Sequence, residues 1–472
     1  MSLTVDSHTA TASGDAWVSP ELAARVCAAW AASGEFGEHV VYERDGRWVF
    51  AAGVAVRIVL TKDDVVVTEG SHRVSAPWRG DPSEALAAAL ASLATPDWRV
   101  YGWVGFDFCA PHHDLADRVS DGAVLAHLMV PVFEAVIDAT GIDTAGADVA
   151  TAARLRELAD SVGALPQATP IEVGADTDGY RTRVARAVDE IDQGKYQKVI
   201  LSRRVDVPFA VDIPATYALG RAGNNPARSY LLRLGSMSAA GFSPELVVAT
   251  DTDGHVITEP LAGTRAFGRS AELDAAARAD LRADVKEIAE HAMSVQACFE
   301  EIASVSLPGT TVVSEFMVVR ERGSVQHLAS TVRGELSPEA GPWRALAVLF
   351  PSITASGIPK TQALDAIYRL EPEGRGLYSG AVITASSAGD LEATLTLRSI
   401  FAVDGRAWLR AGAGIVGQSN PDREFEETCE KLASVAPFVV RSEDADRRDD
   451  AERDGAARED AERENAERSR AR

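Results

Sequence analysis

K-Y-Q-K-V-I-L-S-R-R-V-D-V-P-F, residues 195–209, is the stretch that decides the fold class. An apolar run of strand type, K-V-I-L-S-R-R-V-D-V, follows a segment of helical spacing, D-T-D-G-Y-R-T-R-V-A-R-A-V-D-E-I-D-Q-G at 176–194. Working outward, runs of the same kind recur at 48–60 (WVFAAGVAVRIVL), 229–234 (SYLLRL), 245–251 (ELVVATD), 311–320 (TVVSEFMVVR) and 407–416 (AWLRAGAGIV), bounded by Gly, Asp or Pro. Helical spacing returns at 82–94, 271–305 and 422–436. Strands and helices do not alternate strictly, so the expectation is α+β, with large antiparallel sheets packed by helices, and not a doubly wound parallel sheet.

The 472 residues include 46% hydrophobic and 25% charged, ample for one large domain or two ordinary ones. With 47 basic against 70 acidic residues the net charge is -23, which repels a phosphate backbone or an anionic membrane surface. Nucleic acid and membrane are therefore not expected partners. An acidic protein that binds an anionic metabolite must gather its cations locally or recruit a metal ion. Cys27, Cys109, Cys298 and Cys429 are scattered without metal-type spacing, which reads as reduced, mostly buried thiols. The first residues lack a basic start and an apolar run, and no stretch approaches about 18 uninterrupted apolar residues, so a cytoplasmic location is expected. Residues 1–15 read as a flexible N-terminus, 16–165 as scaffold, 166–440 as the part that carries chemistry, and 441–472, rich in A-E-R triplets, as a solvated or disordered charged tail.

Two acidic helices stand out, D-V-K-E-I-A-E-H at 284–291 and R-E-F-E-E-T-C-E-K at 423–431, each with Glu-x-x-Glu spacing that puts both carboxylates on one face. On the second, Phe425, Cys429, Leu432 and Ala436 form an apolar stripe, Glu426 and Glu430 a solvated one, and Glu424, Glu427 and Lys431 a third that can face a cleft. On the first, Leu281, Val285, Ile288, Ala292, Val295 and Phe299 make the apolar stripe, well away from Glu287 and Glu290. Oxygen ligands without cysteine suit a hard cation such as Mg²⁺; solvated helix faces would carry the same spacing. T-E-P-L-A-G-T-R-A-F-G at 258–268 and L-R-A-G-A-G-I-V at 409–416 place small residues where backbone amides can cradle a carboxylate, or where a strand simply turns. Lys198 and Glu245 sit beside apolar runs, where partial desolvation favours a neutral amine and a protonated carboxyl, a base and an acid; a snorkelling lysine and an edge glutamate are the alternative.

Taken in order, KYQKVILSRRVDVPF, GFSPELVV, ITEPLAGTRAFGR, KEIAEHAMSV, RERGSVQHLAST, ITASGIPK, RGLYSGAV, TLTLRSI, WLRAGAGIV and REFEETCEKL resemble the chorismate-utilising family of anthranilate synthase component I, isochorismate synthase and salicylate synthase. YERDGRWVFAAGV and YGWVGFDF extend the likeness toward the N-terminus, most closely to mycobactin-type salicylate synthases of siderophore pathways. The resemblance implies a single large chorismate-binding domain. It implies that Lys198 activates water for attack at C2 of the ring and that Glu245 protonates the departing C4 hydroxyl. It further implies Mg²⁺ on Glu290 and Glu427, with Glu287 and Glu424 holding metal-bound waters, and the ring carboxylate against the metal and the backbone near Gly263 and Thr264. Tyr378, Arg398 and the amides around Gly412 match positions that hold the enolpyruvyl carboxylate, with Lys431 adding charge; His327 and Thr354 match positions lining the ring. Loss of pyruvate from isochorismate, giving salicylate, would need no further catalytic group. Ala262 stands where aminodeoxychorismate synthases carry a nucleophilic lysine, so water or ammonia is the implied nucleophile. The L-L-E-S-like segment and the glutaminase of anthranilate synthases are absent from the sequence, so no glutaminase subunit is expected, and the chain is expected to be a monomer. Isochorismate synthase without lyase activity is the nearest alternative.

Overall fold

Neighbouring residues of the central strands are buried in different apolar clusters, as happens when a sheet is covered on both faces. Val41 and Phe50 pack with Trp30 and Tyr217 of the helices on one side, whereas Val40, Tyr42, Val49 and Ala51 pack with Tyr101, Trp103, Met129 and Val382 of a second sheet. In that second sheet Val100, Val104 and Ile383 turn the other way, toward Leu86, Ile302 and Leu346 of another set of helices. The layers are therefore helices, sheet, sheet, helices, an α+β architecture. The computed structural model describes residues 18–322 and 325–442. The expected appendage at 1–15 and the tail beyond 442 lie outside the described residues; Arg441 forms an antiparallel bridge with Val211.

One sheet has ten strands and the other twelve. The pairings that build them are antiparallel. Each sheet draws strands from both ends of the chain: His39–Arg44 pairs with Arg228–Leu234 in the first, and Arg99–Val104 pairs with Ala381–Ser386 in the second. The run at 48–60 shows how the chain changes sheets, for it forms two strands, Arg47–Ala52 and Val56–Thr61, one in each sheet. Gly53 makes the corner at φ 69°, and a Cβ there would lie 3.0 Å from the Val132 side chain. Among the described residues no helix is long and apolar enough to cross a membrane.

The acidic segment at 271–305 departs from the single helix expected for it. Two helices form, Ala271–Ala283 and Val285–Val305, because Asp284 caps the second through the amides of Lys286 and Glu287. A break resets the helical phase, so the expected apolar stripe does not run through it. Val285 is 79% and Phe299 37% exposed, and the buried face of the second helix is His291, Ser294, Val295, Cys298, Ile302 and Val305. The helix Pro421–Leu432 follows its expected stripes more closely: Phe425 and Leu432 are buried and Glu426 and Glu430 exposed, while Thr428 takes the core place given to Cys429.

The site lies where one end of each sheet meets. At the end of the ten-stranded sheet, Lys198–Val207 runs between Gly357–Ile358 and Arg406–Ile415; at the end of the twelve-stranded sheet, Leu261–Ala266 pairs with Val325–Glu335. Val285–Val305 packs on the latter pair and Pro421–Leu432 on Arg406–Ile415. Gly53→Ala forces a side chain into left-handed backbone against Val132 and should cost about 1–3 kcal/mol of unfolding free energy, measured by denaturant titration. Unchanged stability would show that the corner does not depend on glycine.

Candidate active site

Lys198, the first residue of its strand, is 1% exposed, and its Nζ lies 2.9 Å from Glu290 Oε1 and 3.4 Å from Ser294 Oγ. Burial was expected; the carboxylate partner was not. Closely packed glycines make room for the pair. A Cβ at Gly414 would lie 3.0 Å from Glu290 Oε1, and one at Gly412 would lie 2.6 Å from the Leu201 carbonyl and 3.1 Å from Tyr378 Oη. The A-G-A-G run is thus required for close approach of the cleft wall, whatever its amides bind.

Glu245 enters from the other sheet, just ahead of the strand Leu246–Thr250, and is 2% exposed. Its Oε1 accepts hydrogen bonds from Ser352 Oγ at 2.9 Å and from Thr354 Oγ1, and the two hydroxyl oxygens are 2.7 Å apart. Burial pushes the Glu245 carboxyl up to about 7, against the pull of those hydroxyls and of the Lys198 charge. The Glu245 carboxyl and the Lys198 amine therefore keep different surroundings although they line one cleft.

The four glutamates are each matched to a cation of the protein. Glu290 pairs with Lys198, Glu287 with Arg265 at 3.2 Å, Glu427 with Lys431 at 2.8 Å, and Glu424 with Lys286 at 3.8 Å across the two helices. Burial and the Glu427 charge lift the Glu424 carboxyl to about 7, and burial and Glu290 raise Glu287. Glu290 is held below its ordinary value, because Lys198 outweighs its burial. Glu287 and Glu424 are raised by a neighbouring glutamate even with a cation of the protein beside each, and such an oxygen-only group fits a hard divalent cation. Glu290 and Glu427 line the cleft; Glu287 and Glu424 do not and lie behind it. Among the described residues, the one trio whose ligand atoms lie within 4.8 Å of one another is Asp251, Asp253 and His255, an exposed group that could hold a divalent cation. Those atoms are already engaged in a hairpin turn, Asp251 accepting from the amides of Asp253 and His255 and pairing with the His255 ring.

The remaining expected residues, Gly263, Thr264, His327, Thr354, Tyr378, Arg398, Gly412 and Lys431, all line the same cleft. Arg398 donates to the Arg322 carbonyl at 3.0 Å and to His327 Nε2 at 2.7 Å. Since a guanidinium only donates, Nε2 is the acceptor, and Nδ1 carries the proton that it gives to Thr264 Oγ1 at 3.0 Å. Burial, with Arg398 and Lys431 nearby, keeps this imidazole far below its ordinary value and so neutral. Lys431 also donates to the Gly412 carbonyl at 2.8 Å. Arg398 and Ser379 both adopt left-handed backbone, φ 50° and 59°, which costs of order 1 kcal/mol each and is held by the surrounding packing.

Sequence reasoning missed three groups. Ser352 grips Glu245, and its signal was the hydroxyl two residues before Thr354. Arg410 lines the cleft but spends its donors on Ser202, Glu371 and the Gly374 carbonyl. Glu371 and Arg375, both buried, join Ser202, the Ile200 carbonyl and the Ala355 carbonyl beneath the cleft floor. Their i,i+4 spacing allows the ion pair between them, but nothing local marks its burial or its reach to Ser202.

A family described as chorismate binding enzyme matches residues 38–437. A salicylate synthase of Mycolicibacterium paratuberculosis is 48% identical over 406 residues, 85% of this chain and 90% of the relative. An anthranilate synthase component 1 of Halobacterium salinarum is 36% identical over 333 residues, 69% of this chain and 62% of the relative. The crystal structure of anthranilate synthase component I from Streptococcus pneumoniae superposes with a TM-score of 0.68 at 26% identity, covering 83% of this chain and 92% of that one. Fold and sequence thus agree, and the chain belongs to the chorismate binding enzyme family.

Proposed function

We propose that this protein is a salicylate synthase that converts chorismate to isochorismate, and isochorismate to salicylate and pyruvate, in the cleft between the two sheet ends. The observation that carries the chemistry is that Lys198 and Glu245 reach one cleft from different sheets. The 48% identical salicylate synthase supports the choice of product.

In the first step Lys198, acting from its neutral amine form, takes a proton from water as the oxygen attacks C2, the ring double bonds shift, and the C4 hydroxyl leaves with the proton of Glu245. Ser352 and Thr354 hold Glu245 Oε1 in place. Arg398, oriented by its bonds to His327 and the Arg322 carbonyl, presents a guanidinium to the enolpyruvyl carboxylate with Tyr378 and the Gly412 wall beside it. Glu290 and Glu427, backed by Glu287 and Glu424, would hold Mg²⁺, which when bound neutralises and orients the ring carboxylate. In the second step hydrogen moves from C2 to the enolpyruvyl methylene as the C–O bond breaks, which releases pyruvate and leaves the aromatic ring. No acid or base is needed there, and the protein's contribution is to hold the side chain in the reactive geometry.

Incubation with chorismate and Mg²⁺ should give salicylate and pyruvate in equal amounts, identified by chromatography. Isochorismate alone would remove the second step, and unchanged chorismate would defeat the proposal. Lys198→Ala should lower kcat for isochorismate formation by about 10² to 10⁴-fold; near-normal turnover would take Lys198 out of the mechanism.

Glu245 adds a pH dependence with a definite sign. Its carboxyl titrates at about 7 when folded and near 4.5 when unfolded, so between those values the folded protein holds a proton that the unfolded chain has lost. Stability from this group therefore falls as pH rises through that window, by roughly 3 kcal/mol in all. Urea unfolding at pH 5 and pH 8 should show Glu245→Gln gaining roughly 2 to 3 kcal/mol on the wild type over that interval. Parallel behaviour of the two proteins would mean the carboxyl is not held protonated.

A further inference from the structure

Lys286 opens the motif K-E-I-A-E-H in the first turn of Val285–Val305, yet it points across to the other acidic helix, with Nζ 3.8 Å from Glu424 Oε1. The charges of Glu424, Glu290, Glu287 and Glu427 all act on it. The other cations around the carboxylates are tied down more closely. Lys198 lies 2.9 Å from Glu290 and is fully buried; Lys431 bonds both Glu427 and the Gly412 carbonyl; Arg265 spans Asp280, Asp284 and Glu287. The Lys286 contact is longer than a hydrogen bond, and its side chain is 41% exposed. It is a long, hydrated, easily displaced cation next to a cluster of anions.

From this placement we infer that Lys286 is a built-in counter-cation of the carboxylate cluster: it links the two acidic helices when no metal is bound and weakens metal binding by competing for the same anions. The inference rests on the reading of the four glutamates as the Mg²⁺ site. It assigns Lys286 no part in the chemistry. Its effect is on how tightly the metal is held and on how far stability depends on it, because a positive charge a few ångströms from a divalent ion repels it in a partly solvated setting.

The test is calorimetric titration of Mg²⁺ alone into the chelator-treated full chain. Lys286→Gln should bind Mg²⁺ about tenfold more tightly than the wild type at low salt, with the gap narrowing as ionic strength rises. Lys286→Arg, which keeps the charge, should bind as the wild type does. Thermal melting supplies a second readout: without metal the Gln variant should melt below the wild type, and Mg²⁺ should raise its Tm by more. Unchanged or weaker binding by Lys286→Gln, while the wild type binds, overturns this inference and leaves the four-glutamate site standing. Tightening by the Arg variant equal to that of Gln overturns it too. Failure of wild type and variants alike to bind Mg²⁺ overturns both readings.

Discussion

Four carboxylates at the ends of two neighbouring helices are the constraint around which the cleft is organised. In a chain of net charge -23 that binds an anion, such a cluster is a liability unless it is matched by positive charge. The protein matches it one for one, and three of the four partners belong to the cleft or its wall, Lys286 alone being half-exposed. Lys198 and Lys431 line the cleft, and Arg265 follows directly on Gly263 and Thr264 of its wall. Neutralising the cluster and equipping the cleft are thus done by the same side chains, which ties the positions of the two helices to the position of each basic group.

The two-sheet architecture solves a second electrostatic problem. A buried carboxyl keeps its proton near neutrality only if it does not settle into an ion pair with a neighbouring cation. Here Lys198 has its own carboxylate in Glu290, while Glu245 is buried among hydroxyls on the opposite sheet. The Lys198 charge does pull the Glu245 carboxyl down, but burial wins and holds it at about 7. Burial among hydroxyls, with the nearby lysine paired elsewhere, is how a carboxyl comes to titrate near neutrality.

Much of this was legible in the residues. Strand runs such as Arg47–Ala52 stand out because a sheet covered on both faces reads as a continuous apolar stretch, and E-x-x-E is visible wherever a helix is. What failed was phase. The stripe drawn through Leu281, Val285 and Phe299 assumed one helix, and a single capping aspartate, Asp284, broke it. The run at 48–60 likewise reads as one strand until Gly53 is recognised as a corner between sheets. The network of Glu371, Arg375 and Arg410 was illegible for a different reason. Glu371 and Arg410 meet Ser202, 169 and 208 residues earlier in the chain, and Arg375 meets the Ile200 carbonyl, and long-range hydrogen bonds leave no periodic trace. The expected roles of the cleft residues entered through the ordered run of motifs, since each cluster alone reads more readily as an ordinary surface or turn.

The far wall of the cleft is specified by hydrogen-bond direction. Arg398 can only donate, so His327 must accept at Nε2 and donate from Nδ1 to Thr264. Thr264 therefore spends a lone pair on this bond and keeps its own hydroxyl proton. Arg398, fixed at one end by the Arg322 carbonyl and at the other by a neutral imidazole, is held without being neutralised, because neither partner carries negative charge. A carboxylate in place of His327 would orient the guanidinium equally well but cancel the charge an anion needs. A protonated imidazole would repel it. A buried neutral histidine meets both requirements, and the positive charge of Arg398 remains available to the cleft.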